Sequence, residues 1–165
     1  MREHGAETKL IAGDPRLMKI TYPGDLEMLA RLLDDRFVSV GNGIDAHRFG
    51  EGDHVTLCGV RIPHEKGLLG HSDADAGWHA LVDAILGALG EGDIGAHFPP
   101  SDPQWKGADS EKFLRHALQL ADAAGATISH VDVTLVCERP KIGPHREAMR
   151  ARTAAVLDLP IERVS

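Results

Sequence analysis

The stretch HSDADAGWHALVDA, residues 71–84, sets two histidines and three aspartates against the start of an apolar, alanine-rich run. Leu81, Val82, Ile85, Leu86 and Leu89 recur at helical spacing, which predicts a helix over about 73–89 with one apolar face. Ser72 or Asp73 serves as its cap, with Ser72-x-x-Asp75 a weak form of the capping box. His71 and Ser72 then fall at the helix N-terminus, where free N–H groups and the helix dipole favour an anion such as phosphate. Asp75, His79 and Asp83 follow one another at intervals of four, on the face opposite the leucines. His79 is therefore turned away from the core, and a neighbouring carboxylate orients its imidazole as in many metal-bound histidines. The plainer alternative is a capped, solvated polar face.

Working outward from that helix, FVSVGNGIDAHRF (37–49) has the alternating, β-branched character of a strand. The Gly50-Glu51-Gly52-Asp53 cluster turns it into a second strand, HVTLCGVRI (54–62), so the two read as a hairpin. Downstream, a long loop rich in proline and glycine (90–110) precedes a helix over about 110–124 that stops at Gly125. TISHVDVTLVCE (127–138) reads as a strand, the Pro140 to Pro144 break follows, and a last helix covers about 144–157. Upstream, residues 1–36 read as a short strand, a second strand around LMKIT, and a helix carrying Leu26, Leu29, Leu32 and Leu33. The charged run Asp34-Asp35-Arg36 marks a boundary between this segment and residues 37–165. The expected fold is α/β, a two-layer sandwich with helices packed on one face of a mixed sheet.

Composition excludes several function classes. The 165 residues are 42% hydrophobic and 26% charged, enough for one buried core and unlike a disordered chain. A formal charge of -7 without a long Lys/Arg run argues against nucleic-acid or acidic-membrane binding through a global field. No apolar run approaches the roughly 20 residues of a membrane span, and no signal-like core opens the chain. Two cysteines without a CxxC pair fit a reducing cytoplasm. Ten histidines beside four phenylalanines, two tryptophans and one tyrosine point to metal or phosphate chemistry.

Asp45 and His47 are two apart, so in an extended segment both side chains point to one side. With His79 they make two imidazoles and a carboxylate, a set that leaves one tetrahedral position open as catalytic zinc sites do. The competing reading of the bare D-x-H is an exposed edge or turn. Asp93 lies between glycines, where its carboxylate meets a ligand closely or merely ends a helix. Arg139, Lys141, His145 and Arg146 gather where a strand gives way to a helix, which suits a nucleotide or diphosphate; the alternative is a solvated basic turn. Cys58, Trp78 and Trp105 read as packing residues.

Taken in order, GIDAHRF, CGVRIPHEKGLLGHSDADAGWHAL, GDIGAHFPPSDPQWKGADS and VDVTLVCERPKIGPH resemble the 2-C-methyl-D-erythritol 2,4-cyclodiphosphate synthase family. The resemblance covers residues 37–165. It implies a homotrimer with active sites between subunits, and a substrate that is a cytidine diphosphate ester of methylerythritol carrying a 2-phosphate. That phosphate would attack the β-phosphorus, CMP would leave, and a cyclic diphosphate would close. Matched motif by motif, Asp45, His47 and His79 would bind Zn2+, with Asp45 and His47 also at the substrate. His71 would be catalytic, stabilising the transition state, and with Ser72 would hold the 2-phosphate. Asp93, Ile94 and Gly95 would meet the methylerythritol hydroxyls. Phe98, Pro99, Pro100, Ser101 and Asp102 would line the substrate loop. Cys137, Glu138, Arg139, Pro140, Lys141, Ile142 and Gly143 would hold the cytidine, reached from the adjacent subunit.

Residues 1–36, chiefly GDPRLMKITYPGDLEMLARLL, resemble the tail of a 4-diphosphocytidyl-2-C-methyl-D-erythritol cytidylyltransferase, with Lys19 matching its substrate-site lysine. The pair of resemblances implies a fused, bifunctional parent. The family pattern also implies a further strand and a Thr/Gly-rich motif beyond Ser165, partly supplying a second divalent site for Mg2+ or Mn2+. Two other readings stand beside the cyclase: a zinc- and cytidine-nucleotide-binding module without turnover, and a metal-dependent phosphohydrolase giving linear products.

Overall fold

A computed structural model describes residues 19–33 and 37–165. Two compact units divide the chain, residues 1–38 and 39–165.

In the first unit, the break at Tyr22-Pro23-Gly24-Asp25 starts helix α1 (Pro23–Leu33). Asp25 Oδ2 accepts the backbone N–H groups of Thr21 (2.7 Å) and Tyr22 (2.9 Å), which fixes the helix entry. These N–H donors, Tyr22 first, hold the Asp25 carboxyl below its ordinary value. The expected strand around LMKIT is not found over 19–21, and its first part, like the strand expected before it, lies outside the described residues.

The second unit is built on three helices: α2 (Ala76–Leu89), α4 (Ser110–Ala123) and α5 (Arg146–Leu157), with a single turn α3 (Ile94–His97) between the first two. Trp78, Leu81, Val82, Ile85 and Leu86 of α2 are buried with Phe113, Leu114, Ala117 and Ala121 of α4 and Met149, Val156 and Leu157 of α5. Strands β2 (His54–Leu57) and β3 (Val60–Pro63) pair antiparallel and add Val55, Leu57 and Ile62 to this core. Short strands β1 (Phe49–Gly50) and β4 (Gly67–Leu68) pair antiparallel beside them.

Among the described residues, the expected mixed sheet is replaced by these two ladders of two strands and one parallel bridge, Val131 to Val164. HVTLCGVRI is not one strand but a hairpin in itself, because Cys58 (φ 48°) and Gly59 (φ 70°) both take the left-handed conformation of a tight two-residue turn. The sequence signal failed because cysteine does not favour that turn. A distant carboxylate enforces it: Asp75 accepts the N–H of Cys58 (2.7 Å) and of Gly59 (2.6 Å).

Residues 37–48 and most of 127–138 also lack the expected ladders among the described residues. The side-chain alternation of a strand nevertheless persists: Gly41, Gly43, Asp45 and His47 are half-buried while Asn42, Ile44, Ala46 and Arg48 are exposed. Packing on a helix replaces sheet pairing here. Ser39 Oγ donates to Ala88 O (2.6 Å), and Gly41 and Gly43 lie so close to α2 that a Cβ would stand 1.7 Å from Ala84 O and 1.8 Å from Ala80 O. A cavity of about 130 Å³ separates residues 41–43 from 132–134 over the same helix.

Candidate metal centre and its surroundings

The close approach of Gly41 and Gly43 delivers Asp45 and His47 to His79, on the first turns of α2. Asp45 Oδ1 accepts the N–H of Ala46 (2.8 Å), so Oδ2 is left to face the imidazoles. It lies 2.8 Å from His47 Nε2 and 3.0 Å from His79 Nδ1, and those two nitrogens are 3.2 Å apart. His47 Nδ1–H donates to Leu69 O (2.8 Å), which leaves Nε2 as the bare nitrogen of the neutral ring.

These three atoms form the group of His, Cys, Asp or Glu ligands compact enough to hold a metal ion among the described residues. Ligand bonds of 2.0–2.1 Å in a tetrahedron put ligand atoms about 3.3 Å apart, so the donor set fits a zinc-type ion with one position open. Burial opposes ionisation of Asp45, but hydrogen bonds with His47 and His79 outweigh it and hold the carboxyl well below the usual carboxylate range. The same hydrogen bond to Asp45 raises His47 above the ordinary imidazole value, against burial.

The helix N-terminus differs from its expected form. Helix α2 begins at Ala76 and its cap is Asp75, whose Oδ1 accepts Trp78 N–H (3.1 Å). Asp75 is fully buried and its carboxylate is taken up by the N–H groups of Cys58, Gly59 and Trp78, so it meets His79 through the backbone alone, accepting its N–H (2.9 Å), and does not orient the imidazole. Burial pushes its carboxyl up, and its three backbone N–H partners pull the other way. His71 and Ser72 therefore sit on the preceding loop, not on an open helix pole. The pole is already met by a carboxylate. His71 is exposed, its carbonyl accepts Gly107 N–H (2.6 Å), and Ser72 Oγ lies 3.1 Å from His79 Nε2.

Asp93 caps α3 by accepting Ala96 N–H (2.8 Å), while Ile94 N–H donates to Asp83 Oδ1 (2.8 Å) and ties this turn to α2. Gly95, Pro99, Pro100 and Ser101 are exposed. Phe98 anchors its loop in an aromatic cluster, with ring centroids 4.5 Å from Phe113, 4.9 Å from Trp105 and 5.0 Å from His116. Asp102 turns back to accept Gln104 N–H (3.0 Å). Cys137, Glu138, Arg139, Lys141 and Gly143 are exposed, Pro140 and Ile142 half-buried, and no described hydrogen bond joins this loop to the metal triad. Ile142 instead lines a groove of about 590 Å³ with Val133, Leu135, Met149 and Thr153.

Two polar residues escaped the sequence reading of the centre. Ser110, fully buried at the start of α4, lies 2.8 Å from His79 Nε2, and its hydroxyl donates to Asp73. In the sequence Asp73 reads only as a candidate helix cap and Ser110 only as the start of a helix, and no local spacing links two residues 37 apart.

The YgbB family matches residues 38–165. The bifunctional enzyme IspD/IspF of Hyphomonas neptunium is 61% identical over 162 residues, covering 98% of this chain and 43% of that protein. The corresponding enzyme of Caulobacter vibrioides is 60% identical, with 98% and 42% covered. The chain thus spans less than half the length of these curated relatives. Among solved structures, a 2C-methyl-D-erythritol-2,4-cyclodiphosphate synthase is similar with a TM-score of 0.72 and 48% identity, over 76% of this chain and 84% of that one. A form of that synthase described as bound to CDP gives a TM-score of 0.72 at 47% identity, over the same shares of both chains. The bifunctional IspDF of Campylobacter jejuni gives a TM-score of 0.71 at 34% identity, over 94% of this chain and 42% of that one.

Proposed function

Because the chain belongs to the YgbB family, we propose that it catalyses the closure for which its structural relatives are named. 4-Diphosphocytidyl-2-C-methyl-D-erythritol 2-phosphate is converted to 2-C-methyl-D-erythritol 2,4-cyclodiphosphate with release of CMP. The observation that carries this reading is the Asp45–His47–His79 cluster, three ligand atoms within 3.2 Å of one another beside the Ser72 loop.

In this reading Asp45, His47 and His79 hold a divalent ion, zinc by its donor set. When bound, such an ion neutralises and polarises phosphoryl oxygens. Ser72 Oγ accepts Ala74 N–H (3.1 Å), so its own proton is free to donate to the 2-phosphate, and exposed His71 adds a second donor that follows charge in the transition state. The attacking group is the substrate's own phosphate oxygen; the bond to the β-phosphorus forms as the bond to CMP breaks. No protein nucleophile is required, which suits Cys58: burial first, and then the Asp75 carboxylate, push its thiol up to about 12. Positioning supplies the remaining advantage, since holding both ends of one molecule makes the attack intramolecular.

Asp93 to Gly95 and Phe98 to Asp102 are assigned to the methylerythritol part, and Cys137 to Gly143 to the cytidine of a neighbouring subunit's site. A homotrimer is supported by the exposed apolar side chains of Val40, Ile44 and Val136. A second divalent ion, Mg2+ or Mn2+, and a cytidylyltransferase origin for residues 1–36 belong to the same proposal. Phosphorus NMR on the cytidine diphosphate substrate tests it. CMP with a cyclic diphosphate is expected, falling roughly 100- to 1,000-fold in His71→Ala. Linear products would replace cyclisation by hydrolysis, and binding without turnover would leave a nucleotide-binding module.

A further inference from the structure

We propose that Ser110 and Asp73 are positioning residues that keep the proton of His79 on Nε2 and so present a bare Nδ1 to the metal. The inference rests on the metal reading of the Asp45–His47–His79 cluster and adds two residues outside it.

Capping of α4 does not require the Ser110 side chain, because Asp109 accepts Glu111 N–H (2.8 Å) and serves as the cap. The buried hydroxyl of Ser110 instead lies between Asp73 Oδ1 and His79 Nε2. Asp73 is fixed on its own account. Its N–H donates to Ala108 O (3.0 Å), its Oδ2 accepts Ser110 N–H (3.3 Å), and its Oδ1 accepts Asp75 N–H (3.3 Å). An ionised carboxylate only accepts, and a serine hydroxyl has one proton. That proton is committed to Asp73, so towards His79 the Ser110 oxygen can only accept. The shorter contact, to Ser110 (2.8 Å), thus sets the hydrogen on Nε2, where Ser72 Oγ at 3.1 Å serves as a second acceptor, and Nδ1 keeps its lone pair.

The alternative tautomer has a competing attraction. With its proton on Nδ1, His79 would donate to Asp45 Oδ2 across 3.0 Å and close the cluster upon itself. The Asp73–Ser110 relay opposes that state, as Leu69 O does for His47. Each imidazole is thus oriented from behind, one by a carbonyl and one by a carboxylate acting through a hydroxyl.

The test combines zinc affinity by chelator competition, cobalt(II) absorption, and imidazole nitrogen NMR of the metal-free full chain at pH 8. The unaltered chain is expected to show His79 as the Nε2–H tautomer. Ser110→Ala is expected to shift it towards Nδ1–H and weaken zinc roughly 10- to 100-fold, with an altered cobalt spectrum. Ser110→Thr keeps the oxygen and should stay within about threefold of the unaltered affinity. Asp73→Asn should resemble Ser110→Ala, because an amide N–H can donate to Ser110 and reverse the relay. Unchanged tautomer and zinc affinity in Ser110→Ala would overturn the proposal. So would an Nδ1–H tautomer in the unaltered chain, a readout that decides the matter even where a variant does not fold. Failure of the unaltered chain to bind zinc would refute the metal reading instead, with the tautomer still reporting on the relay.

Discussion

Replacing Gly43 by alanine should empty the metal centre without touching a ligand. A Cβ at residue 43 would stand 1.8 Å from Ala80 O and 2.8 Å from both Ala80 C and Ala84 N, all of them backbone atoms of α2. A helix backbone cannot swing aside as a side chain can. An ordinary non-bonded contact needs about 3.4 Å, so the segment carrying Asp45 and His47 must withdraw by roughly 1.5 Å. Metal ligands tolerate only about 0.2 Å, and two of the three would leave together while His79 stays on its helix. Zinc affinity in Gly43→Ala is expected to fall by at least about 100-fold, with a stability loss of about 1–3 kcal/mol from overpacking. Chelator competition reads the first quantity and urea denaturation of the metal-free protein the second. Gly87→Ala is the control, because that helical glycine has no neighbour within 4 Å of an added Cβ. It should gain roughly 0.5–1 kcal/mol and leave zinc binding unchanged. Zinc bound by Gly43→Ala as tightly as by the unaltered chain would refute the positioning argument.

Three other outcomes follow from the same geometry. Thr153→Val removes the only described partner of the buried Trp78 indole N–H (3.0 Å) and should cost about 1–3 kcal/mol in urea denaturation; a loss under about 0.5 kcal/mol would contradict it. In the metal-free protein, the lowered Asp45 contributes stability above about pH 4 that is lost on acidification, and the raised His47 contributes stability below about pH 6.5 that is lost as pH climbs past its folded value. Melting should therefore peak between these limits, whereas zinc, which competes with protons for the same atoms, should stabilise increasingly towards neutral and alkaline pH. A metal-free melting temperature rising steadily from pH 5.5 to 8 would count against the pair. Iodoacetamide at pH 8 should give a single rapid adduct by mass spectrometry, on exposed Cys137, while Cys58 reacts only on unfolding.

Periodicity carried helices α1 and α2, because an apolar stripe such as Leu81, Val82, Ile85 and Leu86 has only one way to be buried, while the Gly125 stop and the Pro140 to Pro144 break marked α4 and α5. It also carried the shared direction of Asp45 and His47, which follows from backbone alternation and survives without a sheet ladder. Motif order along residues 37–165 was enough to identify the family. Tertiary structure decided the rest, since it depends on partners far apart in the chain. The buried Asp75 reaches back to bend Cys58 and Gly59 into a turn and shifts the start of α2 to Ala76. Two glycines bring their segment onto α2, and the first residue of α4 lies behind His79. A sequence records which side chains can bind a metal; only the packed chain sets how far apart they stand and which nitrogen holds the proton.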